Sequence, residues 1–237
     1  TGIPYGLKDI IDVEGFETTA HSKILIDNIS RTNAYVTNKL DSSGGILMGK
    51  LALHEFAIGG PAFDLPFPPA RNPWNINHHP GGSSSGSGSA VASGMLPAAL
   101  GTDTGGSVRN PASSCGIVGM KATYGRVSKA GVIPLSFSLD HVGPMTRTVE
   151  DNALLLNAIA GYDKNDPSTE QNQKIPDFTE FLQKGVKGLR IGLIRHFYTT
   201  DLKADDEMCQ AVDNAAATFE KLGAIVEEIQ VSPLSHF

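Results

Sequence analysis

Two serine- and glycine-rich stretches carry the residues that could do chemistry. They are G-G-S-S-S-G-S-G-S at 81–89 and G-T-D-T-G-G-S-V-R-N-P at 101–111. Runs of this composition are flexible linkers more often than sites, so that reading comes first. A linker has no need of a second serine motif just beyond a small apolar segment, and here A-V-A-S-G-M-L stands between the two. Enough chain separates Ser83 from Ser107 for a helix and a strand that fold them together. Gly105 and Gly106 precede Ser107 and leave consecutive backbone N–H groups unobstructed, which is what stabilising an oxyanion requires. A serine hydroxyl is a weak nucleophile, however, and needs a neighbour to take its proton.

Other chemistries fit these stretches less well. A phosphate-binding P-loop needs G-x-x-x-x-G-K-[ST], and no lysine lies between Lys50 and Lys121. The dinucleotide fingerprint fails because Val91 stands where its third glycine belongs. Gly82 to Gly86 satisfies G-x-S-x-G with Ser84 as nucleophile, but that elbow follows an apolar strand, and R-N-P-W-N-I-N-H-H-P precedes this one. S-x-x-K is absent, and His54-Glu55 begins an H-E-x-x-H motif that is not completed. His78 and His79 are adjacent, so on a regular element they point apart, which favours a loop role over metal binding. A serine enzyme here needs a different base, and lysine is a candidate.

The elements that must position these residues alternate as helices packed on a sheet. Residues 32–43 read as a helix ended by Gly44-Gly45, 46–49 as a short buried strand, and S-A-V-A-S-G-M-L at 89–96 as a helix close to a sheet. S-C-G-I-V-G-M-K-A-T reads as a buried strand edge. The segment 59–82, with six prolines and Trp74, reads as an ordered extended wrap. Thr148 and Asp151 form an acidic capping box for a helix stopped by Gly161. Residues 164–176 read as a surface linker. Beyond it come a strand at 189–194, an amphipathic helix at 205–222 ended by Gly223, and a partner strand in A-I-V-E-E-I-Q-V, with nothing catalytic among them.

Composition narrows the partners. The chain has 237 residues, 40% of them hydrophobic, with a net charge of −6. It can bury a real core, and it shows no basic cluster for direct nucleic-acid contact. No apolar run is long enough for a membrane span, and the cysteines, Cys115 and Cys209, suit a reducing compartment, with the cytoplasm as the default expectation. Thr1 enters directly on domain-like pattern and V-S-P-L-S-H-F shows no finishing element, so the chain reads as a piece of a longer protein.

Five segments together resemble the amidase signature family of serine amidohydrolases. They are G-I-P-Y-G-L-K-D at 2–9, R-N-P-W at 71–74, P-G-G-S-S-S-G-S at 80–87, A-L-G-T-D-T-G-G-S-V-R-N-P-A-S-S-C-G-I-V-G-M-K-A-T-Y-G-R-V-S at 99–128, and S-L-D-H-V-G-P-M-T-R-T-V-E-D at 138–151. The similarity in order and spacing covers about 2–163. It implies a three-layer α/β/α fold around a central mixed, largely parallel sheet, with 1–237 belonging to a single signature-like domain. It also implies a Ser-cisSer-Lys triad, with Ser107 as nucleophile, Ser83 as relay serine and Lys8 as base. Thr104, Gly105, Gly106 and Ser107 would then supply the oxyanion site, and Ser84, Asp103 and Arg109 would support it.

Each triad member also has a plainer reading. Lys8 could be a surface lysine beside Asp9, and Ser83 and Ser107 could each cap a helix. The resemblance further implies a small-molecule amide substrate and no metal or organic cofactor, and it leaves a homodimer open. The leading expectation is hydrolysis of linear amide C–N bonds. The alternatives are a glutamine-dependent amidotransferase A-type subunit and a urea- or carbamate-type hydrolase related to allophanate or biuret breakdown. Ser85 replaces a glycine common in the tRNA-dependent subunit, and Gly88-Ser89 stand where alanines are usual there, a slight lean toward the hydrolases.

Overall fold

Ile3, Tyr5 and Leu7 alternate with Pro4 and Gly6 in I-P-Y-G-L-K, and this stretch forms the first strand, β1 (Ile3–Lys8), whose last four residues are buried. In the computed structural model, which describes residues 2–172 and 174–236, it pairs in parallel with β2 (Gly45–Leu51) on one side and with β3 (Ala98–Asp103) on the other. β5 (His141–Thr146) runs antiparallel to β3, and the two-residue β4 (Val118–Gly119) antiparallel to β5. The sheet order is β2-β1-β3-β5-β4, a mixed sheet in accord with the expected α/β class. Thr1, Gln173 and Phe237 lie outside the described residues. They include the start of the expected fragment, one position of the expected linker and the final residue.

Helices cover both faces. Val36 and Leu40 of α1 (Tyr35–Ser42) and Leu156 and Ile159 of α4 (Val149–Ile159) join Tyr5, Leu7, Leu100 and Val142 in one cluster. Met145, of opposite parity to Val142 on β5, packs instead with Val108 and with Ala112 of α3 (Arg109–Cys115). The helix α2 (Ser85–Ala92) packs beside α3 on that second face.

The serine and glycine run is thus no linker. The expected helix at 89–96 begins four residues earlier, at Ser85, and stops before Gly94, so Met95 and Leu96 fall outside it. Small residues are required because the helix lies against backbone: a Cβ on Gly86 would meet the Ala52 amide nitrogen at 2.5 Å.

The cap at Thr148 forms as the sequence predicts, its hydroxyl oxygen accepting from the Asp151 N–H at 3.1 Å. Thr148→Ala is expected to lower stability by about 1 kcal/mol, read from chemical denaturation with an unchanged m-value.

The expected surface linker at 164–176 is corrected in its first half. Asp163, Asp166 and Thr169 are buried, the Ser128 hydroxyl donates to Asp163 at 2.7 Å, and the Lys129 N–H donates to Asp166 at 2.6 Å. Polar composition suggested exposure, but these side chains are consumed by backbone and hydroxyl donors from a distant turn.

The chain divides into two compact units, Thr1–Thr179 and Glu180–Phe237. The second is a strand, helix, strand unit: β6 (Arg190–Leu193) and β7 (Ile225–Glu228) pair in parallel around α5 (Asp206–Lys221). Arg195 bridges Asp213 on α5 and Glu228 on β7, at 2.6 and 3.0 Å. All candidate site residues lie in the first unit.

Candidate active site

The parallel strands β1, β2 and β3 end at the same edge of the sheet, the edge where open α/β sheets place their ligands. Lys8 is the last residue of β1, His54 follows the end of β2, and the loop carrying Ser107 follows Asp103 at the end of β3. Lys8 is completely buried. Its Nζ lies 2.8 Å from Ser83 Oγ and 2.8 Å from Thr102 Oγ1. The plain reading of a surface lysine beside Asp9 does not hold, because Lys8 is buried and Asp9 pairs instead with Lys50 at 2.7 Å.

Burial dominates the acidity of Lys8. Desolvation penalises the ammonium, and although the charges of Asp103 and Asp140 oppose the shift, the amine comes down to about 7. A lysine so placed is neutral in a large fraction of molecules at physiological pH and can accept a proton. Thr102 is a site residue that sequence reading misses. Its one signal is its place two residues before Thr104 on a strand ending at the site.

Ser83 follows a cis peptide bond from Gly82. Its turn is tied down on several sides. The His54 N–H donates to the Ser83 carbonyl at 3.1 Å, and the Gly82 N–H donates to Asn110 Oδ1 on α3 at 2.9 Å. Ser84 joins the start of α2 to β3: its Oγ lies 3.1 Å from both the N–H and the carbonyl of Thr102, and its N–H donates to the Ser107 carbonyl at 3.2 Å. The loops carrying the two serines are therefore bonded to each other through backbone. Ser83, Thr104, Gly105 and Ser107 line one cavity of about 570 Å³, together with His54 and His79.

Asp103 shapes the loop before Ser107. It accepts from the N–H groups of Gly106, Val108 and Arg109 and takes the Arg109 guanidinium at 3.0 and 2.9 Å. Burial pushes its carboxyl up, but the Arg109 side chain and those N–H donors outweigh this and bring it down to about 2. One member of the expected oxyanion set is thereby committed elsewhere, since the Gly106 N–H points at Asp103 Oδ1 at 2.7 Å. The N–H groups left for an oxyanion in this arrangement are those of Thr104, Gly105 and Ser107. Asp140 accepts from the Thr104 hydroxyl and from the N–H groups of Leu135 and Ser136, so it fastens the same loop from the other side.

Sequence reading missed Asn110 as a holding residue, because its partner is a backbone amide that no spacing rule reveals. Among the described residues no cluster of side chains suits a metal ion, and no helix is long and apolar enough to cross a membrane.

The Amidase family model matches residues 1–237. The glutamyl-tRNA(Gln) amidotransferase A subunit of Trichlorobacter lovleyi is 51% identical over 231 residues, which are 98% of this chain and 47% of that protein. The crystal structure of the same-named protein from Thermotoga maritima superposes with a TM-score of 0.90 at 43% identity, covering 96% of this chain and 49% of that one. The native peptide amidase of Stenotrophomonas maltophilia superposes with a TM-score of 0.84 at 37% identity, covering 96% and 47%. The chain spans about half the length of the curated relatives it matches. The resemblance read from motifs over about 2–163 is borne out by a family match to 1–237, and the relatives favour the amidotransferase alternative over the leading hydrolase reading, toward which residues 85 and 88–89 lean slightly.

Proposed function

Because the chain belongs to the amidase family, we propose that it supplies the acyl-enzyme chemistry of a glutamine-dependent amidotransferase A-type subunit. The observation that carries this reading is the buried Lys8 amine at 2.8 Å from the Ser83 hydroxyl, with Ser83 and Ser107 on the wall of one cavity. Ser107 Oγ attacks the carbonyl carbon of a side-chain amide while its proton passes to Ser83 and the Ser83 proton passes to Lys8. The tetrahedral oxyanion is met by the free N–H groups of Thr104, Gly105 and Ser107, each such donor being worth about 10²–10³ in rate. Collapse breaks the C–N bond, the leaving nitrogen takes the proton back by the same route and departs as ammonia, and water then releases the acid.

None of the described residues lining the cavity is Asp, Glu, Lys or Arg, which suits a neutral amide as the reacting group. Glutamine is the favoured source because the relatives at about half sequence identity are named amidotransferase subunits. The free Cys115 and Cys209 suit a cytoplasmic setting. A stand-alone hydrolase is the second reading, favoured by Ser85 in place of the glycine common in the tRNA-dependent subunit.

Assay of the full-length polypeptide separates the two. Ammonia release from glutamine, stimulated by copurifying partners and tRNA, is the expected result. Turnover of simple amides or carbamates with none of glutamine would overturn it in favour of the hydrolase, and turnover of no amide at all would reject both.

A further inference from the structure

His54 and His79 lie outside the triad, yet they meet beside the relay serine. Their Nε2 atoms are 3.2 Å apart and their ring centroids 5.3 Å. The surrounding backbone leaves one protonation state for the pair. The Gly81 N–H donates to His79 Nδ1 at 3.0 Å, so that nitrogen carries no proton and a neutral His79 carries its proton on Nε2. That Nε2–H donates to His54 Nε2, which leaves the His54 proton on Nδ1, where it is given to the Gly59 carbonyl at 3.0 Å. Every nitrogen is used once, and the chain of bonds ends on a carbonyl oxygen.

The His54 ring also lies directly against Gly82, where an added Cβ would sit 2.1 Å from Cε1. We propose that His54 and His79 are positioning residues for the relay serine: as two neutral imidazoles they tie the Gly81–Ser83 turn to the segment after β2, and one added proton undoes that tie. A proton on His54 Nε2 would face the His79 N–H, and one on His79 Nδ1 would face the Gly81 N–H. Both arrangements set donor against donor.

The groups facing His54 are Lys8 from the end of β1, His21 from the turn beyond it, and His79. All disfavour a further positive charge. Among the described residues no carboxylate bonds either ring. Burial, opposed by the Gly59 carbonyl and reinforced by these neighbours, holds His54 below the usual histidine range, so the tie is closed at neutral pH.

This inference rests on the proposed Ser107 acyl-enzyme, and its test is built to fail separately. In the full-length protein, the second-order rate of fluorophosphonate labelling at Ser107 is followed from pH 8 to pH 5. The parent is expected to lose rate by about tenfold per pH unit as Lys8 takes a proton, steepening toward about a hundredfold once His54 is protonated as well. In His79→Gln the side-chain amide can turn its oxygen to a protonated His54, so the acid limb is expected to keep the one-proton slope. Superimposable slopes in parent and variant would overturn the proposal.

Long-range proton–nitrogen NMR of the parent gives a second reading that depends on no variant folding. It should find protons on His54 Nδ1 and His79 Nε2, and any other tautomer pair overturns the tie. If Ser107→Ala still labels, the acyl-enzyme reading is what fails. If labelling requires Ser107 but the slopes coincide, only the tie fails.

Discussion

Alanine at position 107 is expected to abolish fluorophosphonate labelling and to lower amide turnover by about 10⁴–10⁶-fold, since losing the nucleophile of a coupled set costs nearly as much as losing the whole set. What remains is catalysis by the oxyanion donors and by substrate positioning. The fold should persist, because it is the Ser107 carbonyl, not its hydroxyl, that holds the Ser84 N–H. Active-site titration of parent and variant, with melting curves for both, checks the two halves of this expectation. Stoichiometric labelling of the folded alanine variant at another serine would remove Ser107 from the mechanism.

Lys8→Met is expected to be as inactive, and to reverse its effect on stability with pH. A base must be unprotonated, so kcat/KM in the parent should rise with pH through about 7, where Lys8 loses its proton, and level off above. The stability argument takes the opposite view of the same ionisation. An unfolded lysine titrates near 10.4, so between about pH 7 and 10.4 the unfolded chain binds the extra proton and the parent gains stability as pH rises. Methionine, similar in length and uncharged, escapes this ionisation penalty. It also strands the Ser83 and Thr102 hydroxyls, at roughly 1–3 kcal/mol each.

The Met variant should therefore melt close to or above the parent at pH 7. Its relative stability should then fall by about 3 kcal/mol by pH 9.5. Denaturation of both proteins at the two pH values measures this. A difference that does not change with pH would mean that Lys8 is not held neutral by burial.

The two histidines show how a tertiary arrangement creates a function that local sequence does not display. His78 and His79 draw attention as neighbours, and adjacency argues against metal binding. The pairing that matters joins His79 to His54 across the extended segment between them. Asn110 is a similar case: nothing in S-V-R-N-P marks it for a tertiary role, while in the fold its side chain oxygen accepts from the Gly82 N–H. The linker at 164–176 misled for the reverse reason. Aspartates and threonines signal solvent when their partners are unknown, and here the partners are Ser128 and Lys129.

The sequence by itself determined which side chains are present and the local geometry that depends on near neighbours. Small residues from Gly81 to Ala92 permit a helix packed on backbone, the Thr148 cap acts over three residues, and ordered motifs identify the family. Tertiary structure alone decided the acidity of Lys8 and the availability of each amide. Lys8 meets Ser83 and Thr102 across 75 and 94 positions of chain, and its lowered pKa comes from the burial those contacts create. Likewise the Gly106 N–H is taken by Asp103 because the loop folds back onto the strand that launches it. Solvation and hydrogen-bond competition belong to the assembled site, and no single stretch of sequence contains them.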